Sequence, residues 1–315
     1  MMKNAVIDIG TNTLILLIAE PQSKGKIRVI RDEACITRLG QGLTDNHFFL
    51  SEAMQRTFSV LLRFKKTCDE HDVKKITAVG TAAFRYAANA SVFIEKTEKE
   101  CGFKINIISG EEEARHTFSA AWKDFGGNKK KLIVVDIGGG STEIITGPQS
   151  AKKTNPETVI SLQLGTVRLT ELYAQSDPLS KTDFDRCLKA IKNTLKDELD
   201  DFYPPAFNPA GSVLVATAGT ATTLAAMHRK MEVYDPAKVH GLTLKKKDLE
   251  GIINLLLPKT LKERQKLPGL EPLRADVILS GALLLNEILS YFKQDKVIIS
   301  DRGLRYGVFC QKYLK

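Results

Sequence analysis

The sequence predicts a mixed α/β protein built from two similar domains, and three observations lead there. A short phrase occurs twice, first as Ala5-Val6-Ile7-Asp8-Ile9-Gly10-Thr11-Asn12-Thr13 and later as Ile133-Val134-Val135-Asp136-Ile137-Gly138-Gly139-Gly140-Ser141-Thr142-Glu143. Each copy is an apolar strand run, an aspartate, a Gly/Thr/Ser turn and a second β-rich run, and alternating strand and helix patterns follow it. The length, 315 residues, exceeds one ordinary core and fits two.

The elements follow in order from these patterns. Residues 5–19 read as a hairpin around the first turn, and 26–30 as a third β-rich run. Ser51 can cap a helix over 51–69, in which Met54, Phe58, Leu61, Leu62 and Phe64 recur near helical spacing. A strand at 75–79 leads into the Gly80-Thr81-Ala82 turn. Helices at 83–88 and 91–101, a strand at 105–108 and a helix at 109–125 complete the first half. The polar tract Gly126-Gly127-Asn128-Lys129-Lys130-Lys131 marks the domain break. Domain I is 1–126, joined by the terminal helix at 303–315, and domain II is 127–302. The second half repeats the order: hairpin 132–147, strand 158–163, helices 166–173 and 182–202, and strand 213–217. After the Thr217-Ala218-Gly219-Thr220 turn come helices at 221–231, 246–256, 259–266 and 274–292. A strand at 296–300 and a last helix from Gly303 follow.

Composition narrows the function classes. No segment offers the roughly 20 uncharged apolar residues of a membrane span. The first strand, interrupted by Asp8 and Asn12, does not read as a signal peptide. A cytoplasmic protein with no membrane partner is expected. Five scattered cysteines without C-x-x-C spacing argue against a disulfide framework and a structural zinc site, and they read mostly as small core residues. A net charge of +9 favours polyanionic partners. Aromatic residues are not interleaved with the lysine runs (Lys65-Lys66, Lys74-Lys75, Lys129 to Lys131, Lys152-Lys153, Lys245 to Lys247), and no nucleic-acid-binding signature occurs. Phosphate-rich molecules therefore fit better than nucleic acid.

The repeated turns carry the chemistry. A strand ending in a carboxylate and a glycine turn can hold a divalent cation and cradle phosphate on backbone N–H groups. Asp8 and Asp136 are the candidate metal-holding carboxylates. Gly138, Gly139 and Gly140 let backbone approach an anion. Thr11, Asn12, Thr13, Ser141 and Thr142 add hydroxyl and amide donors. Glu143 points to the same side of its strand as Ser141 and offers another carboxylate to a metal or water. In Ser109-Gly110-Glu111-Glu112-Glu113, the Ser109/Glu112 spacing is that of a capping box, which accounts for Glu112 structurally. Glu113 is left to orient and deprotonate a water. Arg85, after the Gly80-Thr81-Ala82 turn, is a candidate phosphate grip, with Arg168, Arg302 and Arg305 as weaker ones. No P-loop motif or serine nucleophile elbow occurs.

The duplicated D-x-G-[ST] loops resemble those of the actin-like, or ribonuclease H-like, fold of actin, sugar kinases and heat-shock ATPase domains. The fuller set resembles the exopolyphosphatase / guanosine pentaphosphate phosphohydrolase family. Its phrases are Asp8 to Thr13, Val79-Gly80-Thr81-Ala82-Ala83-Phe84-Arg85, Ile108 to Arg115, Asp136 to Glu143, Ser161 to Glu171, Ala216-Thr217-Ala218-Gly219-Thr220 and Asp301 to Gly307. The resemblance implies two actin-like domains with a cleft between them, and release of terminal phosphate from inorganic polyphosphate or guanosine pentaphosphate. It implies Glu113 as the catalytic base, and Asp8, Asp136 and Glu143 at magnesium (or manganese). Arg85 and the two loops, with Gly219 and Thr220, would hold the substrate. A homodimer is the expected assembly. The chain departs from the family where a basic residue often stands, since Ile15 occupies that place. The rival readings are guanosine pentaphosphate as main substrate, a non-enzymatic sensor of guanosine tetra- or pentaphosphate, and an actin-like kinase or filament protein.

Overall fold

The computed structural model describes residues 2–126, 131–147, 156–203 and 211–314. The chain forms two compact units, Met1–Ala120 with Leu304–Lys315, and Ala121–Gly303. The tract at 127–130, where the sequence places the domain break, lies outside the described residues, as do Lys152 and Lys153 of the lysine runs, and the two units divide between Ala120 and Ala121.

The first unit holds a five-stranded sheet. Its strands are β1 (Asn4–Ile9), β2 (Thr13–Pro21), β3 (Ile27–Ile36), β4 (Lys75–Gly80) and β5 (Ile105–Ile107), in the order β3-β2-β1-β4-β5. The short turn between β1 and β2 forces antiparallel pairing, whereas β4 arrives through helix Ser51–Glu70 and pairs parallel to β1. Both faces are covered. Ala5, Ile7 and Ile9 pack with Phe58, Leu61, Phe64 and Phe93, while Val6, Leu17 and Ala19 pack with Ala120, Leu304, Val308 and Phe309. Strand alternation puts Asp8 on the Val6 side, the side covered by helices Gly110–Phe125 and Leu304–Tyr313.

The second unit repeats this plan. Its strands are β6 (Leu132–Ile137), β7 (Thr142–Gly147), β8 (Thr158–Leu162), β9 (Val213–Thr217), β10 (Thr243–Lys245) and β11 (Lys296–Ile299), in the order β10-β11-β9-β6-β7-β8. Read from β8 to β11, the order matches that of the first sheet, and β10 is added antiparallel at the edge. Ile133, Val135 and Ile137 enter one large core, which leaves Val134 and Asp136 on the opposite face.

Several elements differ from the sequence reading. β3 runs to Ile36, well beyond 30, because β2 supplies backbone partners for charged residues that carry no apolar alternation. The Thr217-Ala218-Gly219-Thr220 segment is the first turn of helix Ala218–His228 rather than a turn before it. The long apolar helix starts at Ile278, after a short 3-10 turn at Pro272–Arg274. Of the cysteines, Cys68, Cys101 and Cys187 are buried, and Cys35 and Cys310 are half-buried. Burial pushes the Cys68 thiol up to about 12 and the Cys187 thiol to about 11. Among the described residues no helix is long and apolar enough to cross a membrane.

Candidate active site

The two repeated turns are built alike. In the first, the Gly10 N–H donates to the Thr13 carbonyl at 3.0 Å; in the second, the Gly138 N–H donates to the Ser141 carbonyl at 3.0 Å. The strand registers also match: Asp8 stands opposite Ile15, and Asp136 opposite Glu143. Directly opposed residues share a face of the sheet with their side chains close. Ile15 and Glu143 are therefore equivalent positions, filled by an apolar residue in one unit and a carboxylate in the other.

Each turn is backed by a second segment from the same unit. Thr37 and Arg38 N–H groups donate to the Asn12 carbonyl at 3.0 Å, and the Gly40 N–H donates to the Thr11 carbonyl at 2.8 Å. In the second unit the Thr166 and Val167 N–H groups donate to the carbonyls of Gly138 (3.0 Å) and Gly139 (2.9 Å). The segment from Thr37 to Gly40 after β3 and the Thr166-Val167 segment after β8 thus do the same job. The backbone approach is close: a Cβ on Gly165 would lie 2.3 Å from the Gly139 carbonyl oxygen. With their carbonyls tied back, the turns are fixed before any ligand arrives.

Glu113 sits near the start of helix Gly110–Phe125. Ser109 and Glu112 make the reciprocal capping bonds, 3.1 and 2.9 Å, and Glu111 pairs with Arg115 along the helix surface. Glu113 is only 8 % exposed. Its Oε2 accepts from Arg85 Nη1 at 2.9 Å, and the same Nη1 donates to the Ile108 carbonyl at 2.9 Å. Arg85 Nη2 is buried and has no hydrogen-bond partner. A buried guanidinium nitrogen without a partner is costly, and an anion brought beside Glu113 would satisfy it.

In the second unit, Asp136 (7 % exposed) and Glu143 (1 % exposed) oppose each other across β6 and β7. Glu143 Oε1 accepts from the hydroxyls of Ser141 and Ser161, each at 2.8 Å. Two opposed carboxylates repel unless a cation or proton lies near them. Among the described residues no cluster of three or more His, Cys, Asp or Glu side chains could hold a metal. Two carboxylates are nonetheless the donor set that magnesium accepts when water and substrate phosphates complete its shell. Asp136 and Glu143 fit that role, and Asp8 stands half-buried at the end of the equivalent strand in the first unit.

A model of the Ppx/GppA phosphatase family matches residues 17–315. The chain belongs to this family. It is 36% identical to a bifunctional 3-dehydroquinate synthase/phosphatase of Fusobacterium nucleatum over 98% of its own length and 46% of that protein. It is 31% identical to exopolyphosphatase 2 of Mycobacterium tuberculosis over 96% of both chains. It is also 31% identical to a guanosine-5'-triphosphate,3'-diphosphate pyrophosphatase of Vibrio atlanticus, over 96% of this chain and 58% of that one. The chain thus spans about half the length of some curated relatives and nearly all of others. The Ppx/GppA protein of Aquifex aeolicus superposes with a TM-score of 0.80 at 33% identity, over 99% of this chain and 98% of that one. The Ppx/GppA chain has the two-domain actin-like fold expected from its sequence.

Within this Ppx/GppA fold the sequence-derived residues fall into two groups. Thr11, Asn12, Thr13, Asp8, Arg85 and Glu113 belong to the first unit; Gly138 to Glu143, Asp136, Gly219 and Thr220 belong to the second. Some hydroxyls serve the scaffold: Thr142 donates to the Leu164 carbonyl at 2.5 Å and Thr220 to the Ile137 carbonyl at 3.2 Å. The weaker arginine candidates are differently placed. Arg302 donates to Asp124 at 2.8 Å, and Arg305 grips Asp32 through two bonds of 2.7 and 2.8 Å, so both hold structure together. Two neighbours of the second loop escaped the sequence reading. Arg274 is pressed against Gly219, where a Cβ would lie 2.0 Å from its Nη1. Burial lowers the Arg274 pKa, so an anion at this helix start would be favoured. Thr217, opposite Asp136 in register, is fully buried with an unpartnered hydroxyl. Ala218 next to it holds φ at 67°, a conformation that costs energy for a non-glycine residue.

Proposed function

We propose that this chain is a hydrolase of phosphoric anhydride bonds that releases terminal orthophosphate from inorganic polyphosphate. The observation that carries the reading is the Arg85–Glu113 pair, with one guanidinium nitrogen satisfied by the carboxylate and the other buried and unpartnered. Arg85 Nη2 binds a non-bridging phosphate oxygen and so places the terminal phosphorus beside Glu113. Glu113 orients a water and takes its proton during attack. In the second unit, the Gly139 and Gly140 N–H groups and the start of helix Ala218–His228 are suited to holding phosphate. Magnesium held with Asp136 and Glu143 would supply neutralising charge to phosphate bound in that unit. The match to exopolyphosphatase 2 over nearly the whole of both chains supports polyphosphate. The Vibrio relative supports guanosine pentaphosphate as the second reading. A cytoplasmic homodimer belongs to the same proposal.

Phosphate release from long polyphosphate, short polyphosphate and guanosine pentaphosphate, each with and without magnesium, tests the reading. Metal-dependent release from polyphosphate is expected. Release from none of the three would turn the reading toward a binding protein.

A further inference from the structure

We propose that Arg168 is a further substrate-binding residue, whose guanidinium grips the phosphate seated on the Gly139 and Gly140 N–H groups. This rests on the reading above, in which the second turn holds phosphate of the substrate. The hairpin over 132–147 brings two carboxylates to that turn, Asp136 and Glu143, and no basic residue. Phosphate placed there is repelled by both unless cations come from elsewhere. Magnesium would supply part of that charge. Along β8 and the helix Thr166–Tyr173 that follows it, the one basic residue is Arg168.

Arg168 is held against the turn by its own backbone. Its N–H donates to the Gly139 carbonyl at 3.3 Å, beside the bonds from Thr166 and Val167. The glycine turn therefore sits on the N-terminal end of this helix, and its carbonyls take up the helix's first three N–H groups. Those groups are not available to an anion, so a grip from this helix must come from a side chain. Helical side chains lean toward the N-terminus and cover the turn before their own Cα. Arg168, in the first turn of the helix, is thereby directed back over the glycines. Its charge is also unmet. The residue is half-buried, and among the described residues its guanidinium has no hydrogen bond or ion pair. Glu171, three residues along the helix, does not pair with it. Arg302 and Arg305, by contrast, are held by Asp124 and Asp32.

The first unit puts an arginine in the same relation to its own turn. The Arg38 N–H donates to the Asn12 carbonyl at 3.0 Å. Arg38 follows β3 and Arg168 follows β8, the edge strands that correspond in the two sheets. The local structures differ, since Arg168 is helical whereas Arg38 lies in a loop with φ at 52°. That conformation costs energy for a non-glycine residue. Two unlike segments that each bring an arginine to the back of a phosphate turn point to a use for the charge, because the backbone bond alone needs no particular side chain.

The test is calorimetric titration of tripolyphosphate, with magnesium, into the full chain carrying Glu113→Gln, which removes the proposed base. The titration is repeated after adding Arg168→Gln, Arg168→Lys or Arg186→Gln. Arg168→Gln should weaken binding about ten- to hundredfold, the size of lost hydrogen bonds to a charged group. Arg168→Lys keeps the charge without the planar fork and should recover part of the loss. Arg186→Gln removes an equal charge from an exposed pair with Asp183 and should leave affinity unchanged. Thermal melts of the variants should coincide. Unchanged affinity in Arg168→Gln, equal weakening in Arg186→Gln, or a melting temperature that falls in step with affinity overturns the proposal. Binding that depends on Arg168, without phosphate release by the unsubstituted chain, would support Arg168 and sink the hydrolase reading. Phosphate release with affinity indifferent to Arg168 would overturn the proposal and leave the hydrolase reading standing.

Discussion

Glu113→Gln lowers phosphate release by about three orders of magnitude, within the range for loss of a positioned general base, and leaves the fold in place. The substitution keeps the volume of a side chain that is 8 % exposed. Its amide oxygen can still accept from Arg85, which reaches Glu113 at 2.9 Å. The capping bonds of the helix run through Ser109 and Glu112 and do not involve Glu113's side chain. What disappears is the capacity to take a proton from water. Steady-state phosphate release and a thermal melt, run on the same preparation, check both halves. Near-normal turnover would remove Glu113 from the role of base.

Gly165→Ala has the second largest expected effect, because the methyl group has nowhere to go. Gly165 has an extended backbone, φ −131° and ψ 170°, which alanine adopts freely. The obstacle is space: the new Cβ would lie 2.3 Å from the Gly139 oxygen and 2.6 Å from the Gly140 carbonyl carbon. These are backbone atoms of the glycine turn, so the turn itself must shift. Overpacking of this kind costs about 1–3 kcal/mol, and the displaced turn should lose about 100-fold in kcat/KM. Gly251→Ala is the control, an exposed helical glycine with nothing within 4 Å of its Cβ. It should stabilise the chain by about 0.5–1 kcal/mol with unchanged turnover. Denaturant melts and kinetics of the two variants separate loop displacement from a general effect of added methyls. Full activity in Gly165→Ala would show that the turn need not be held as the structure holds it.

Much of the site was legible because its signals are local. The two hairpins announce themselves through period-two apolar runs broken by Asp and Gly. The capping box needs only residues three apart, and both of its bonds are present. What escaped depends on distant partners. Arg85 and Glu113 are 28 residues apart, and nothing in either segment announces their bond. Arg302 and Arg305 looked like free phosphate ligands because Asp124 and Asp32 lie far away in sequence. β3 was cut short because its charged residues hide a strand that backbone pairing with β2 maintains. The Thr37-to-Gly40 and Thr166-Val167 supports are too short to stand out, and only their bonds to the two turns reveal the shared role. Thr217 to Thr220 read as a turn because small residues favour turns, yet the backbone goes straight into a helix after one strained residue, Ala218.

The central claim is that water attacks the terminal phosphorus with Glu113 as its base. A single turnover of polyphosphate in oxygen-18 water tests it most directly. The heavy oxygen should appear in the released orthophosphate, and Glu113→Gln should slow its appearance in parallel with turnover. Heavy oxygen on the remaining chain, or unslowed labelling in Glu113→Gln, would contradict the account.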